Sequence, residues 1–533
     1  MYRKLLCCLL VVVMVFVSGG ARLVLPVEAD SVSAEKNVPT DASATKRDFT
    51  DSEVLVAMTH EESLKFTKYT AADFAEIGCA SVKDLSSAAA EKVQKVLRGE
   101  KLAEDSIGAA FMNKNINVDT FHTILSLKLA EPGKDNVLRA VALLNQREDV
   151  YIAEPNYIFQ LDSVSTTDLR TTATSNYNWG AEKIGLEDAW EIETGSADVL
   201  VGVVDSGIDA SHPELSGIVE SDVNGLSKNF SIDGRSALTD PNGHGTHVAG
   251  IIAAKHNNDG LNLNGVCQNV KLVSLRVSDQ YGRYTIPELA TALNYADVND
   301  IPILNLSLET SDIYVPAILY LTEINYTGLI VSCAGNGGDD GNVLDEYDGE
   351  LPGYWEERAI ITVGASTSAD VRASYSNYSA EKVDLFAPGT SILSSYPQSK
   401  CINYMCPEDG HIATGYHVMD GTSMAAPYVT GVAALIFAHN PNLTPQQIKD
   451  TILMSVQDIP VLENMCVTGG RLDAYAALQR PLLHTADADS YAWEDETCHS
   501  VSCTKCNFSW TDIHRGLGGS LICYCCGGRM LSK

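Results

Sequence analysis

Basic residues are scarce in this chain: 37 lysines and arginines stand against 69 aspartates and glutamates, a formal charge of −32 over 533 residues. A phosphate backbone is captured by releasing counterions from a basic face, so this balance argues against a nucleic-acid partner. Long apolar runs are equally few. The longest covers residues 5–17 and stops short of the ~18 apolar residues that a spanning helix needs. No second run reaches that length, and no internal repeat is visible. What remains is ordinary globular material, 45% apolar and 20% charged. At ~150 residues per domain, the length calls for three or four folding units.

Arg3 and Lys4 precede the apolar run, and Ser18, Gly19, Gly20 and Ala21 follow it. This is the pattern of a secretory signal, removed after Ala21 or after the small-residue pattern ending at Ala29. Residues 1–29 therefore read as a signal, and the product as a secreted, extracellular protein with no membrane span once the signal is gone. Residues 30–52 are polar and aperiodic, a linker. In residues 53–161, short strand patterns (54–58, 121–129, 150–159) alternate with helical ones (86–98, 135–147), which predicts a small α+β unit. Residues 162–176, rich in Ser and Thr, form a second linker and a natural place for proteolytic processing. Across residues 177–480, apolar β-branched runs at 199–204, 271–277, 301–306, 329–332, 360–363 and 383–386 alternate with helical patterns at 286–298, 444–455 and 471–478. Near-continuous apolar strands between helices predict an α/β fold with a parallel sheet covered on both faces. Ligands of such sheets bind beyond the carboxyl ends of the strands.

Chemistry-bearing residues sit at strand ends and helix starts. In Val203-Val204-Asp205-Ser206-Gly207-Ile208-Asp209, an acid appears where the apolar strand ends; alone it would be a turn residue or a cap. Asn242-Gly243-His244-Gly245-Thr246-His247 sets an imidazole at a glycine-flanked helix start, where small neighbours let another chain approach. Asp420-Gly421-Thr422-Ser423-Met424-Ala425-Ala426-Pro427 puts Ser423 at the start of a long helical run, where alone it would be an N-cap. By residue type, Asp209 and His247 compete with Asp205 and His244. An acid, an imidazole and a hydroxyl are the set that acyl transfer uses, because a serine hydroxyl is a weak nucleophile until a base takes its proton.

In chain order Asp, His, Ser, these segments resemble the three motifs of the subtilisin-like serine peptidases. The resemblance runs from about residue 179 to 478, and Val331-Ser332-Cys333-Ala334-Gly335-Asn336 is similar to the family's oxyanion-asparagine segment. It implies that Asp205, His244 and Ser423 form the triad, that Asn336 and the Ser423 N–H stabilise the oxyanion, and that catalysis on protein or peptide substrates needs no cofactor. Asp209 and His247 are left structural roles. The resemblance further implies that residues 53–161, with Ala153-Glu154-Pro155-Asn156-Tyr157, form a ferredoxin-like inhibitory propeptide, so that the enzyme is a self-processing zymogen inhibited by its own propeptide. A permanent accessory domain is the other reading of this segment. For the whole chain the rivals are an esterase with the same nucleophile and an inert scaffold whose Cys-rich tail captures a partner.

The family commonly holds structural calcium through a loop after the histidine helix and an acid after the aspartate motif. Asn257-Asn258-Asp259-Gly260 and Glu214 stand in comparable places, and oxygen ligands suit Ca²⁺; a solvated turn is the alternative. Six of the 14 cysteines fall in the tail, residues 481–533. Cys503-x2-Cys506-x16-Cys523-x2-Cys526, followed by Gly527-Gly528, has the spacing of a four-thiolate zinc site. Exported cysteines oxidise, however, and Cys498 and Cys525 complete a set for three bridges. Zinc is the expectation; disulfides are its rival. Cys401 and Cys406 read as a local disulfide, and Cys267, Cys333 and Cys466 as buried small apolar residues. Where the family carries Ser-Leu-Gly on the wall of its specificity pocket, this chain has Ser307-Leu308-Glu309. Glu350 precedes Leu351-Pro352-Gly353 at the comparable pocket floor, and Asp339 and Asp340 follow Asn336. An acidic pocket would take Lys or Arg before the scissile bond; the alternative turns Glu309 into solvent.

Overall fold

The computed structural model describes residues 48–99, 121–161, 179–256, 263–308, 326–338, 359–399 and 415–479, and beyond them only the backbone of short strands between 486 and 530. The signal, most of the first linker and the processing linker lie outside the described residues.

The N-terminal part contains β1 (Phe49–Met58), α1 (His60–Ser63), a 3₁₀ turn (Ala71–Ile77), β2 (Cys79–Asp84), α2 (Ser87–Leu97), β3 (Ile124–Leu129), α3 (Lys134–Leu144) and β4 (Val150–Gln160). Its strands lie in the order β2-β3-β1-β4, each pair antiparallel. Side chains alternate across a strand, and β1 uses both faces. Val54, Val56 and Met58 join Phe74, Leu125, Val137 and Leu144 in a local core, whereas Leu55 and Ala57 belong to the main core of the molecule. β1 starts inside the stretch read as linker 30–52. Thr50, Asp51 and Ser52 give no apolar signal, yet Phe49 pairs with Tyr157, and their rings meet edge-on at 6.1 Å.

The second part opens with α4 (Trp179–Lys183) and α5 (Leu186–Trp190), followed by β5 (Gly195–Asp205), β6 (Lys228–Asn229), α6 (His244–Ala253), β7 (Asn269–Arg276), β8 (Arg283–Thr285) and α7 (Ile286–Val298). Then come β9 (Ile303–Leu306), β10 (Leu329–Cys333), β11 (Ile360–Ser366), β12 (Leu385–Pro388), β13 (Ile392–Ser395), β14 (Tyr416–Met419), α8 (Thr422–His439), α9 (Pro445–Leu453), β15 (Gln457–Asp458), β16 (Gly470–Arg471) and α10 (Ala474–Gln479). Nine strands form one sheet in the order β15-β16-β12-β11-β10-β9-β5-β7-β6. Every pairing is parallel except β15 with β16. β9 is buried throughout, and β10 and β11 nearly so, which is the reason their sequences are continuous apolar runs instead of alternating ones. This is the predicted α/β architecture.

α8 corrects one expectation. Its 18 residues have a mean hydropathy of 1.2, long and apolar enough to cross a membrane, and 89% of it is buried inside the protein. Here it is the core helix against the sheet. α7 starts where its sequence says it should: Thr285 and Glu288 form a capping box, with Pro287 in the first turn, so exposed amides at the helix start are satisfied.

The two parts meet on α7 and β8. β4 pairs antiparallel with β8, Ile158 opposite Thr285, Phe159 opposite Tyr284 and Gln160 opposite Arg283, and the Leu161 N–H donates to the Gly282 carbonyl at 2.7 Å. Asn294 of α7 donates to the Leu85 carbonyl, Lys92 pairs with Asp297, and Lys83 Nζ reaches Thr291 Oγ1 at 3.2 Å.

In the tail, β17 (Ala486–Trp493), β18 (Cys498–Cys503) and β19 (Ser509–Ile513) form one small antiparallel sheet. β20 (Gly516–Leu517), β21 (Ser520–Cys523) and β22 (Gly528–Met530) form another. Cys506 and Cys526 of the expected zinc set lie outside the described residues, as do Cys401 and Cys406. Cys267, Cys333 and Cys466 are buried thiols.

Candidate active site

Parallel strands bring their carboxyl ends to one edge of the sheet, and the residues singled out by sequence gather there. Asp205 ends β5 and is fully buried. His244 is the first residue of α6, and its Nδ1 donates to both Asp205 oxygens, at 2.9 and 3.0 Å. The contact depends on Gly245: a Cβ there would stand 2.2 Å from the Gly207 carbonyl oxygen and 3.1 Å from Asp205 Cβ. Any other residue would push the helix start off the strand end.

Ser423 is the second residue of α8 and 1% exposed. Its N–H belongs to the first turn, whose amides have no acceptor within the helix. Asn336 lies just beyond β10. Its Oδ1 accepts from Thr422 N at 2.9 Å and from Thr422 Oγ1 at 3.0 Å, which turns Nδ2 toward Gly421. The point where a Cβ on Gly421 would stand is 3.6 Å from Ser423 N and 3.8 Å from Asn336 Nδ2, so both donors border a residue with no side chain. The Ser423 hydroxyl donates to the Ser307 carbonyl at 3.3 Å and lies 3.9 Å from Cys333 Sγ. Ser307 Oγ in turn donates to the Ser423 carbonyl at 2.8 Å. Among the described residues the hydroxyl is thus directed at Ser307, just after β9, and Cys333, the last residue of β10, not at the imidazole.

The competing acid and imidazole are separated from these by their environments. His247 Nε2 donates to the carbonyls of Ile392 and His417, at 3.1 and 3.0 Å. Burial, reinforced by the neighbouring His417 and His244, pushes its pKa down to about 3, so it is a neutral strut. Asp209 Oδ1 accepts from the N–H and hydroxyl of Ser211, closing a local turn. Glu214 is buried and accepts from the Tyr416 hydroxyl at 2.7 Å. Its expected calcium partners, residues 257–260, lie outside the described residues, and no cluster of three or more His, Cys, Asp or Glu suited to a metal ion occurs among the described ones. Glu309, Asp339, Asp340 and Glu350 also fall outside them.

Sequence reading missed Asp240, a buried carboxylate in the loop before α6. Its only sequence signal is an acid four residues ahead of His244, with no periodicity to mark it.

Comparison with known proteins adds the family. Residues 196–475 match the model of the Subtilase family. The chain is 30% identical over 356 residues to the Thermophilic serine proteinase of Bacillus sp. (strain AK1), covering 66% of this chain and 77% of that protein. It is 34% identical over 257 residues to Subtilisin DY of Bacillus licheniformis, covering 48% and 82%, and 31% identical over 314 residues to Thermitase of Thermoactinomyces vulgaris, covering 57% and 97%. Among solved structures, fervidolysin from Fervidobacterium pennivorans, a keratinolytic enzyme related to subtilisin, aligns with a TM-score of 0.55 at 21% identity over 85% of this chain and 68% of that one. That likeness speaks to the fold alone. With the family model spanning more than half of the chain, this protein belongs to the subtilase family and is a subtilisin-like serine endopeptidase.

Proposed function

We propose that the protein is a secreted endopeptidase made as a zymogen, in which Ser423 attacks the scissile carbonyl, His244 accepts its proton and returns it to the leaving amine, and Asp205 holds the imidazole tautomer. The observation that carries this reading is the Asp205–His244 hydrogen-bond pair, with the Asn336 and Ser423 N–H donors bordering Gly421. A tetrahedral oxyanion needs donors already in place, and two donors that border the same open position beside the nucleophile support that role. The Ser423 hydroxyl must leave the Ser307 carbonyl before His244 can take its proton; catalytic hydrogen bonds without substrate often tighten only when substrate arrives.

The propeptide reading of residues 53–161 is supported by β4. This strand pairs with the edge strand β8, and the next residue, Leu161, continues the pairing to Gly282. A Cβ on Gly282 would stand 3.1 Å from Leu161 Cβ and 3.2 Å from Asn242 Nδ2, so the chain leaves β4 near Asn242, which is two residues before His244. A substrate strand would add to β8 in the same way. Secretion is supported by the signal pattern of residues 1–29. The strand order β2-β3-β1-β4 supports the ferredoxin-like description, although the connection from β1 to β2 carries only α1 and a 3₁₀ turn.

Acidic residues Glu309, Glu350, Asp339 and Asp340 support cleavage after Lys or Arg. Structural metals complete the reading: calcium near Glu214 and residues 257–260, supported by oxygen donors, and zinc on Cys503, Cys506, Cys523 and Cys526, supported by their spacing. Replacing Ser423 with Ala should leave a precursor that keeps residues 53–161. Normal processing of the purified variant without added protease would refute self-maturation. In peptide-library profiling, a preference for Phe or Leu before the scissile bond would reject the basic specificity.

A further inference from the structure

Asp240 sits at the centre of the hydrogen bonds that hold the Asp205–His244 pair. Its Oδ1 accepts from the Ser206 hydroxyl at 2.9 Å, from Gly243 N at 2.7 Å and from Asn242 N at 3.0 Å. Oδ2 accepts from the N–H and the hydroxyl of Thr246, both at 2.8 Å. Five donors face one buried carboxylate. Ser206 carries the connection further: its oxygen accepts from Gly245 N at 3.0 Å, and its own N–H donates to Asp205 Oδ1 at 2.7 Å. Asp240 therefore grips the residue after Asp205 on one side, and Gly243 and Thr246, which bracket His244, on the other.

We infer that Asp240 is a positioning residue for catalysis, a second carboxylate that fixes β5 and the start of α6 in register so that Asp205 and His244 meet, and that adds negative charge beside the pair. This inference rests on the triad reading above.

Burial pushes the Asp240 pKa up, while the hydrogen bonds from Gly243 and Thr246 oppose that shift and the nearby Asp205 adds to it. Three of the five partners are backbone N–H groups, which can only donate and so favour the carboxylate against the pull of burial, whereas the Ser206 and Thr246 hydroxyls can donate or accept. The charged groups around it are Asp205 on β5 and Arg276 at the end of β7, with Asp209, His212 and Arg235 lining the cavity that Asp240 shares; the titratable His244 follows Gly243 on α6. Arg276 hydrogen-bonds to Asp233 and to the Ser278 carbonyl and interacts with Asp240 through charge alone.

Two variants separate geometry from charge. Asp240→Asn keeps the shape, inverts part of the hydrogen-bond set and removes the charge. Ser206→Ala removes the hydroxyl that joins Asp240 to Gly245 N and keeps the charge. Both are produced as the full chain, matured in trans by a trace of wild-type enzyme if self-processing is slow, and counted by fluorophosphonate titration, so that rates refer to active sites. A misplaced catalytic pair typically loses about 10²-fold. Asp240→Asn should lower kcat by about that factor with KM little changed. It should also move the acid limb of kcat/KM down by roughly 0.5–1 pH unit, because the imidazolium loses a neighbouring negative charge. Ser206→Ala should lower kcat less and leave the limb in place. Wild-type rates per titrated site and an unmoved pH profile in Asp240→Asn would overturn the inference. If Asp240→Asn fails to fold, an unchanged kcat in Ser206→Ala overturns it instead. If wild-type Ser423 is itself not labelled, the triad reading has failed and not the role of Asp240 alone.

Discussion

The parallel-sheet part and the N-terminal part bury their sheets in different ways. The large sheet is covered on both faces by elements of its own part, including α6, α7 and α8; Asp205 and Asn336 stand at or just beyond strand ends, and His244 and Ser423 at the starts of α6 and α8. In the small sheet, β1 gives Val54, Val56 and Met58 to a local core but Leu55 and Ala57 to the core of its neighbour. The small unit therefore completes its burial only when docked on α7 and β8. The same unit adds a strand to its neighbour's edge, β4 on β8, which is the contact that the proposed propeptide role would use.

Several changes test this asymmetry. Ser423→Ala should lower kcat/KM by on the order of 10⁶, a magnitude whose reference case is subtilisin itself, while leaving both parts assembled; steady-state kinetics with size-exclusion chromatography checks both halves of the statement. Asn336→Ala should cost about 10²–10³ in kcat, also a subtilisin-derived magnitude, again without loosening the N-terminal unit.

Leu55→Ala and Val56→Ala compare the two faces of β1 directly. Each removes fully buried apolar atoms and should cost about 2–4 kcal/mol. The Leu55 loss should appear as weaker docking onto the mature domain, and the Val56 loss as lower stability of the N-terminal unit. Equal effects of both on docking would break the comparison.

The smallest expected effect is a pH dependence of docking. Glu154 pairs in register with Leu55 and is buried, and burial raises its pKa from 4.5 to about 8. The docked state therefore holds a proton that the exposed carboxyl releases above about 4.5. Docking should be strongest below that pH and weaken as pH rises toward about 8, by at most about tenfold per pH unit. Glu154→Gln should flatten the trend across that window, measured as inhibition constants of the isolated N-terminal unit.

Much of this was legible in sequence because burial on both faces writes itself as apolar runs. The six strands expected in the large sheet lie within a few residues of β5, β7, β9, β10, β11 and β12, and residues 286–298 coincide with α7. Boundaries shifted where pairing outlasts hydrophobicity. β5 begins at Gly195, through Ser196 and Asp198, because Gly195 already pairs with Asn269. β12 runs two residues later than its apolar signal, since Val383 packs with Phe386 and Leu462 in a separate cluster. Asp205, His244, Asn336 and Ser423 were readable from glycine-flanked motifs. Asp240 was not, because a lone acid in a loop acquires meaning only when Ser206, Gly243 and Thr246 are brought around it.

The most direct test of the account is intact-mass analysis of fluorophosphonate labelling before and after loss of residues 53–161. It predicts one label per processed chain, located on Ser423, with slow or no labelling while the N-terminal unit remains docked, and none in His244→Ala over the same time. A processed chain that takes no label at Ser423, or a precursor that labels as fast as the processed enzyme, would contradict it.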